Sequence, residues 1–187
     1  GADALAVTCD VSDSESVAGL MAQAEARFGG IDILVNNAGT GASTGPIHQT
    51  PDDHFDRVIA INLRGVFLGM KHVIPSMLRR GGGRIINLAS VAGVAGLPGA
   101  IAYSASKAAV IQMTKVAARE YASAGILVNT VSPGWTDTAM VAEAVARQGE
   151  AFRKATMRLP IGRYGRAEEI AAGALFLATD ATFMTGA

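Results

Sequence analysis

Short apolar runs alternate with longer helical patterns along almost the whole chain, and this alternation restricts the fold more than any other feature. Runs at 4–9, 31–35, 84–89 and 126–131 read as strands, each short and apolar and closed by small polar residues or glycine. Helical patterns occupy 14–28, 52–79, 103–123, 139–148 and 167–178. Strands separated by helices pair in parallel through right-handed crossovers, so an α/β fold with a parallel sheet is expected. At 187 residues, half of them apolar, the chain is read as one domain with enough material for a sizeable core.

Three successive strands release small polar residues at one edge: Asn36-Asn37-Ala38-Gly39, then Ser90, then Ser132-Pro133-Gly134. Ligands of open α/β sheets bind in the crevice beyond the carboxyl ends of the strands, so the Ser90 hydroxyl is well placed to hold a reacting oxygen. Tyr103 and Lys107 follow on the next helix. Residues four apart share a helix face, separated by about 6 Å of rise. An ammonium there favours the phenolate of a side chain that otherwise keeps its proton to a pH of about 10. A tuned phenol can act as general acid or base. Taken alone, the same spacing also fits a surface tyrosine and lysine on an ordinary helix.

From Asp10 to Gly186 the sequence resembles the short-chain dehydrogenase/reductase family. The segments that carry the resemblance are Asp10-Val11, Asn36-Asn37-Ala38-Gly39, Asn62 within Ile61-Asn62-Leu63, Ser90, Tyr103 to Lys107, and Pro133-Gly134-Trp135-Thr136-Asp137-Thr138. Each is weak alone; their order and spacing together are specific. The resemblance implies a Rossmann-type three-layer sandwich, NAD or NADP as cofactor, and hydride transfer between it and a small-molecule ketone or secondary alcohol. It implies that Tyr103 exchanges a proton with the substrate oxygen, that Ser90 hydrogen-bonds that oxygen, and that Lys107 lowers the Tyr103 pKa and binds the nicotinamide ribose. Asn62 would anchor a water that passes protons onward from Lys107; an amide mending a helix kink is the competing reading. Among cofactor contacts it implies Asp10 and the Val11 backbone at the adenine, Asn36, Ala38 and Gly39 along the adenosine ribose, Pro133 and Gly134 under the nicotinamide, and Thr136 and Thr138 near its carboxamide. Asp137 or Thr138 would cap the helix that follows.

The chain also departs from the family pattern. It begins just before the strand at 4–9, without the family's glycine-rich phosphate turn, and stops where a last strand is expected. The expectation is therefore a sheet truncated at both ends, a partial sequence that binds nucleotide weakly, with the 4–9 strand either displaced onto the edge of 31–35 or unpaired. The stretch Gly39-Thr40-Gly41-Ala42-Ser43-Thr44-Gly45 has the wrong spacing for a phosphate turn and runs into Pro46, so it reads as a loop.

Composition narrows the function classes. A formal net charge of zero argues against a nucleic-acid surface. The lone Cys9 excludes an internal disulfide and suits a reducing, cytoplasmic setting. No run is expected to span a membrane. His48, His54 and His72 show no ligand spacing with Cys9 or with one another, so no metal is expected. The helix at 103–123 is apolar nearly all round, which suggests cover on two sides, one of them internal or a partner subunit; the resemblance points to a homodimer or homotetramer. Around 139–159 the apolar residues suit an apolar ketone or alcohol, whereas Arg147, Arg153, Lys154 and Arg158 could meet an acidic acyl carrier protein. A 3-oxoacyl-[acyl-carrier-protein] reductase of the same family, or a fold that only binds or assembles, are the alternatives.

Overall fold

The strand at Gly83–Leu88 (β2) is the centre of the sheet because both of its faces find cover. The computed structural model describes residues 3–41 and 44–187. In it β2 pairs in parallel with Ile33–Asn36 (β1) on one side and Ile126–Val131 (β3) on the other. Successive side chains of a strand point to opposite faces. Thus Ile85 enters the main core with Val17 and Met21 of helix α1 (Ser14–Phe28), while Ile86 packs with Leu177 and Ala181 on the other face. Two helical layers enclose one sheet, the three-layer Rossmann-type sandwich expected from the sequence.

Local signals set the elements between the strands. Asp13 caps α1 by accepting from Ser16 N at 2.7 Å, and Gly29 ends it in the left-handed region at φ 80°. Helix α2 (Asp52–Ile59) passes through a widened π turn at Ala60–Arg64 into helix α3 (Gly65–Arg80). Such bulges displace one residue out of helical register. Here the turn contains Asn62. The expectation that no run could span a membrane needs correction, because Asp52–Arg80 is long and apolar enough by length and composition. Half of that apolar window is buried within the protein, where Val66, Val73 and Met77 belong to the main core.

Helix α4 (Ile101–Tyr121) follows β2, and β3 begins after a tight turn at Gly125, φ 76°. The short parallel pair β4 (Thr136–Asp137) and β5 (Gly165–Arg166) flanks helix α5 (Ala139–Thr156), and helix α6 (Ala167–Thr179) completes the second layer. Thr138, not Asp137, caps α5, accepting from Val141 N at 3.4 Å. The helix continues past the expected end at 148, with a break at Gly149 (φ 80°, ψ −174°). Beyond α6, the chain returns to β3: Gly186 N donates to Val128 O at 2.8 Å and Thr130 N to Ala187 O at 2.8 Å.

The expected strand at 4–9 is not one. Residues 3–10 form no ladder, and β1 pairs only with β2 among the described residues. The segment has no neighbouring strand to supply partners, and Leu5 stays 44 % exposed. On β1 itself, Leu34 packs on the main core while Ile33 and Val35 are each 45 % exposed on the α6 side. Replacing the fully buried Ile85 by alanine is expected to cost about 2–5 kcal/mol, and Ile33→Ala about 1 kcal/mol or less. Urea unfolding of both variants checks this asymmetry.

Candidate active site

Ser90 sits where β2 leaves the sheet but not its hydrogen bonding. Ala89 N donates to Val131 O at 2.8 Å and Val91 N to Pro133 O at 3.0 Å, so the strand end stays tied to the Pro133-Gly134 segment beyond β3. The Ser90 hydroxyl accepts from Ala92 N at 3.1 Å, which fixes its rotamer and leaves its proton to donate elsewhere. The turn at Val91–Gly93 then presses against α4. A Cβ on Gly93 would lie 2.7 Å from the Lys107 carbonyl carbon and 2.8 Å from Ala108 N, both backbone atoms. Only glycine permits that approach.

On α4, Tyr103 and Lys107 occupy one face as their spacing requires. The Lys107 ammonium donates to Leu88 O at 2.6 Å and lies 5.7 Å from the centroid of the Tyr103 ring. Only 5 % of Lys107 is exposed. Burial lowers its pKa to about 8, because desolvation penalises the charged form; at neutral pH it remains mainly an ammonium. One of the three residues between them contributes as well. Ser106 donates to Tyr103 O at 2.7 Å and receives a long bond, 3.4 Å, from Asn62 Nδ2.

Asn62 does not mend its own helix. From the widened turn its amide reaches the loop after β1, accepting from Thr40 N at 2.8 Å and donating to Thr40 O at 2.7 Å, as a neighbouring strand would. The side chain is fully buried. A Cβ on Gly39 would lie 3.5 Å from Asn62 Oδ1 and 3.8 Å from Lys107 Nζ, so Asn62 holds the loop that walls the lysine.

A groove of about 1120 Å³ gathers most of the residues expected from the sequence: Gly39, Ser90, Tyr103, Lys107, Pro133, Gly134, Thr136 and Thr138. Asn62 stands one shell behind it. Asp10, Val11, Asn36 and Ala38 do not line it. Val11, Asn36 and Ala38 border a separate cavity of about 110 Å³. The exposed Asp10 accepts from Ser12 Oγ at 2.7 Å and Ser12 N at 2.9 Å, bonds that lower its pKa, the hydroxyl first. Asn36 turns into the core, donating to Asn87 Oδ1 at 2.8 Å. Its neighbour Asn37 borders both the groove and the smaller cavity. Strand alternation carried that signal, since Ile33, Val35 and Asn37 share one face and Leu34 and Asn36 the other. The loop residues Ala42 and Ser43 lie outside the described residues.

A hydroxyl, a phenol and an ammonium converge where three parallel strands end, and comparison with known proteins gives that arrangement a lineage. The family model described as Enoyl-(Acyl carrier protein) reductase matches residues 1–187. The chain belongs to the short-chain dehydrogenase/reductase family. It is 45 % identical over 190 residues to a cis-4-hydroxycyclohexanecarboxylate dehydrogenase of Sinomonas cyclohexanicum, covering 100 % of this chain and 74 % of that protein. Among solved structures, NAD+-bound xylitol dehydrogenase superposes with a TM-score of 0.89 at 36 % identity, covering 96 % of this chain and 75 % of the other. ElxO with NADP bound gives 0.89 at 34 % identity, covering 96 % and 73 %.

As a short-chain dehydrogenase/reductase, the protein is an oxidoreductase that uses NAD or NADP. The groove fits the nicotinamide half of such a cofactor. Its floor at Gly39 and Gly134 carries no side chain, with nothing within 4 Å of a Cβ on Gly134, and Lys107, Asn37, Thr136 and Thr138 supply donors around it.

Two outcomes test this geometry. Gly93→Ala is expected to push α4 off the Ser90 turn and lower activity more than tenfold, while Gly19→Ala on α1, with open space around its Cβ, leaves activity unchanged; steady-state kinetics compares them. Because the folded pKa of Lys107 lies below the usual 10.5, its burial opposes folding below about pH 8, and stability returns between about 8 and 10.5. Lys107→Met is therefore expected to raise the urea midpoint at pH 7, with a smaller advantage at pH 10.

Proposed function

We propose that Tyr103 is the acid/base of this oxidoreductase and that Ser90 and Lys107 complete the proton path. The observation that carries the reading is Lys107, a buried ammonium held by Leu88 O beside the Tyr103 ring. In ketone reduction the carbonyl oxygen accumulates negative charge as hydride reaches the carbon. The Ser90 hydroxyl donates to that oxygen, and Tyr103 delivers the proton that completes the alcohol; oxidation runs the same steps backwards. Groups aimed at an oxygen whose charge changes stabilise the transition state more than the ground state. A nicotinamide held along Gly39, Pro133 and Gly134 would supply or accept the hydride.

Lys107 has two tasks in this reading. Its charge stabilises the phenolate left on Tyr103, and its remaining N–H groups suit the ribose diol. Asn62 and Ser106 are positioning residues, fixing the Gly39-Thr40 turn and the first turn of α4 around the lysine. Thr136 and Thr138 suit the carboxamide. At the adenosine end, Asp10, Val11, Asn36 and Ala38 are assigned contacts on the resemblance alone; their side chains stand apart from the groove, so those contacts would be made by backbone or from the groove's margin.

The outward side of α4 supports a homo-oligomer. Ala105, Ala108 and Val116 are exposed there, interspersed with the polar Gln112, Lys115 and Arg119, although the helix is buried on its opposite face. Exposed apolar residues clustered within a polar surround suit a seam between copies. Light scattering is expected to give a dimer or tetramer, and a monodisperse monomer removes the proposal.

Catalysis is tested by following nicotinamide oxidation with a cyclic ketone. Tyr103→Phe is expected to lower kcat/KM by about 10²–10⁴. Ser90→Ala is expected to lower it by about 10²–10³, with calorimetric affinity for the nucleotide unchanged. Near wild-type turnover by Tyr103→Phe refutes the assignment.

A further inference from the structure

We infer that the substrate is a compact, uncharged ketone or secondary alcohol whose apolar body packs against Trp135 and Phe152. The inference rests on the catalytic reading above and narrows its substrate. A further cavity, about 410 Å³, adjoins the main groove and shares Ser90, Tyr103 and Gly134 with it. Its wall is built from Val91, Leu97, Pro98, Trp135, Met140 and Phe152. Of the described residues that line it, none is an acid, a lysine, an arginine or a histidine. Beyond the two catalytic hydroxyls, its polar side chains are Gln148 and the indole of Trp135.

That lining separates two substrate classes. An alicyclic or branched body placed here gains roughly 25 cal/mol for each Å² removed from water. A carboxylate or phosphate would lose its hydration with no cation to replace it, at a cost of several kcal/mol. The basic residues of this region do not supply one. Arg147, Arg153, Lys154 and Arg158 are absent from the wall, and Arg153 pairs with Glu150 at 3.2 Å on the surface. At ~30 Å³ for each water-sized unit, the volume suits a body of roughly ten to fifteen non-hydrogen atoms.

Two features of the chain shape the wall. Trp135 follows the Pro133-Gly134 segment, so the strand end that carries the catalytic edge also places the indole. Phe152 arrives from the far half of α5, after the break at Gly149, where φ of 80° bends the helix back. The two rings meet edge to face at 5.5 Å and 84°. Removing Phe152 leaves Trp135 without its aromatic neighbour and opens the cavity.

Trp135 is the chain's one tryptophan, so its emission reports on this wall alone. The purified protein is titrated with 4-tert-butylcyclohexanone and with 4-oxocyclohexanecarboxylate, two ketones of similar size. The neutral ketone is expected to shift Trp135 emission saturably and to bind at least tenfold more tightly than the carboxylate. Phe152→Leu, a change that keeps an apolar side chain, is expected to weaken the neutral ketone severalfold with an unchanged circular dichroism spectrum. Equal or tighter binding of the carboxylate overturns the inference, as does the lack of a saturable response to either ketone. Turnover is measured separately: a neutral ketone that binds but is not reduced defeats the Tyr103 assignment and leaves the cavity assignment standing.

Discussion

The bond from the Lys107 ammonium to Leu88 O is the constraint on which the site depends. It ties the helix that carries Tyr103 to the strand that carries Ser90, and it places a positive charge where water scarcely reaches. Neither tie is available to a lysine on an exposed helix face. The close approach of Gly93 to the α4 backbone makes the bond possible, since any side chain at that position would lift the helix away from the strand end. Burial exacts a cost, visible in the depressed pKa of Lys107. A buried charge with a depressed pKa is what a functional site of the proposed kind requires.

Around this bond the fold spends its buried polar groups on holding loops in place. Asn62 satisfies both backbone groups of Thr40. Asn87 accepts from Asn36 and donates to Thr114 at 2.9 Å, joining β1, β2 and α4 behind the groove. Asn129 donates to Met184 O at 2.8 Å and accepts from Ala187 N at 3.1 Å, fastening the returning chain to β3. Three buried amides thus each join segments distant in sequence. A buried amide left half satisfied would cost more than it returns, and these are paired.

Much of this was legible in the sequence where a local rule applied. The run 126–131 is the strand Ile126–Val131, and the i,i+4 spacing of Tyr103 and Lys107 does put them on one face. Reading stopped short where the outcome depended on a neighbour. The run 4–9 has a strand's composition but no partner beside it among the described residues, which is the unpaired one of the two outcomes expected for it. The Asn36 side chain bonds Asn87 behind the groove, and the next residue, Asn37, lines the groove. The helical pattern 52–79 is interrupted at Asn62 by a widened turn, while Pro75 is carried inside α3. Trp135 and Phe152, separated by a helix break, share no sequence signal that would have paired them.

The most direct measurement is a crystal structure of the protein with nicotinamide dinucleotide and a bound cyclic alcohol. The account predicts the alcohol oxygen within hydrogen-bond distance of both Ser90 Oγ and the Tyr103 hydroxyl, with Lys107 still on Leu88 O and the carbon skeleton turned toward Trp135. An alcohol oxygen that touches neither hydroxyl, or a Lys107 swung away from Tyr103, would contradict it.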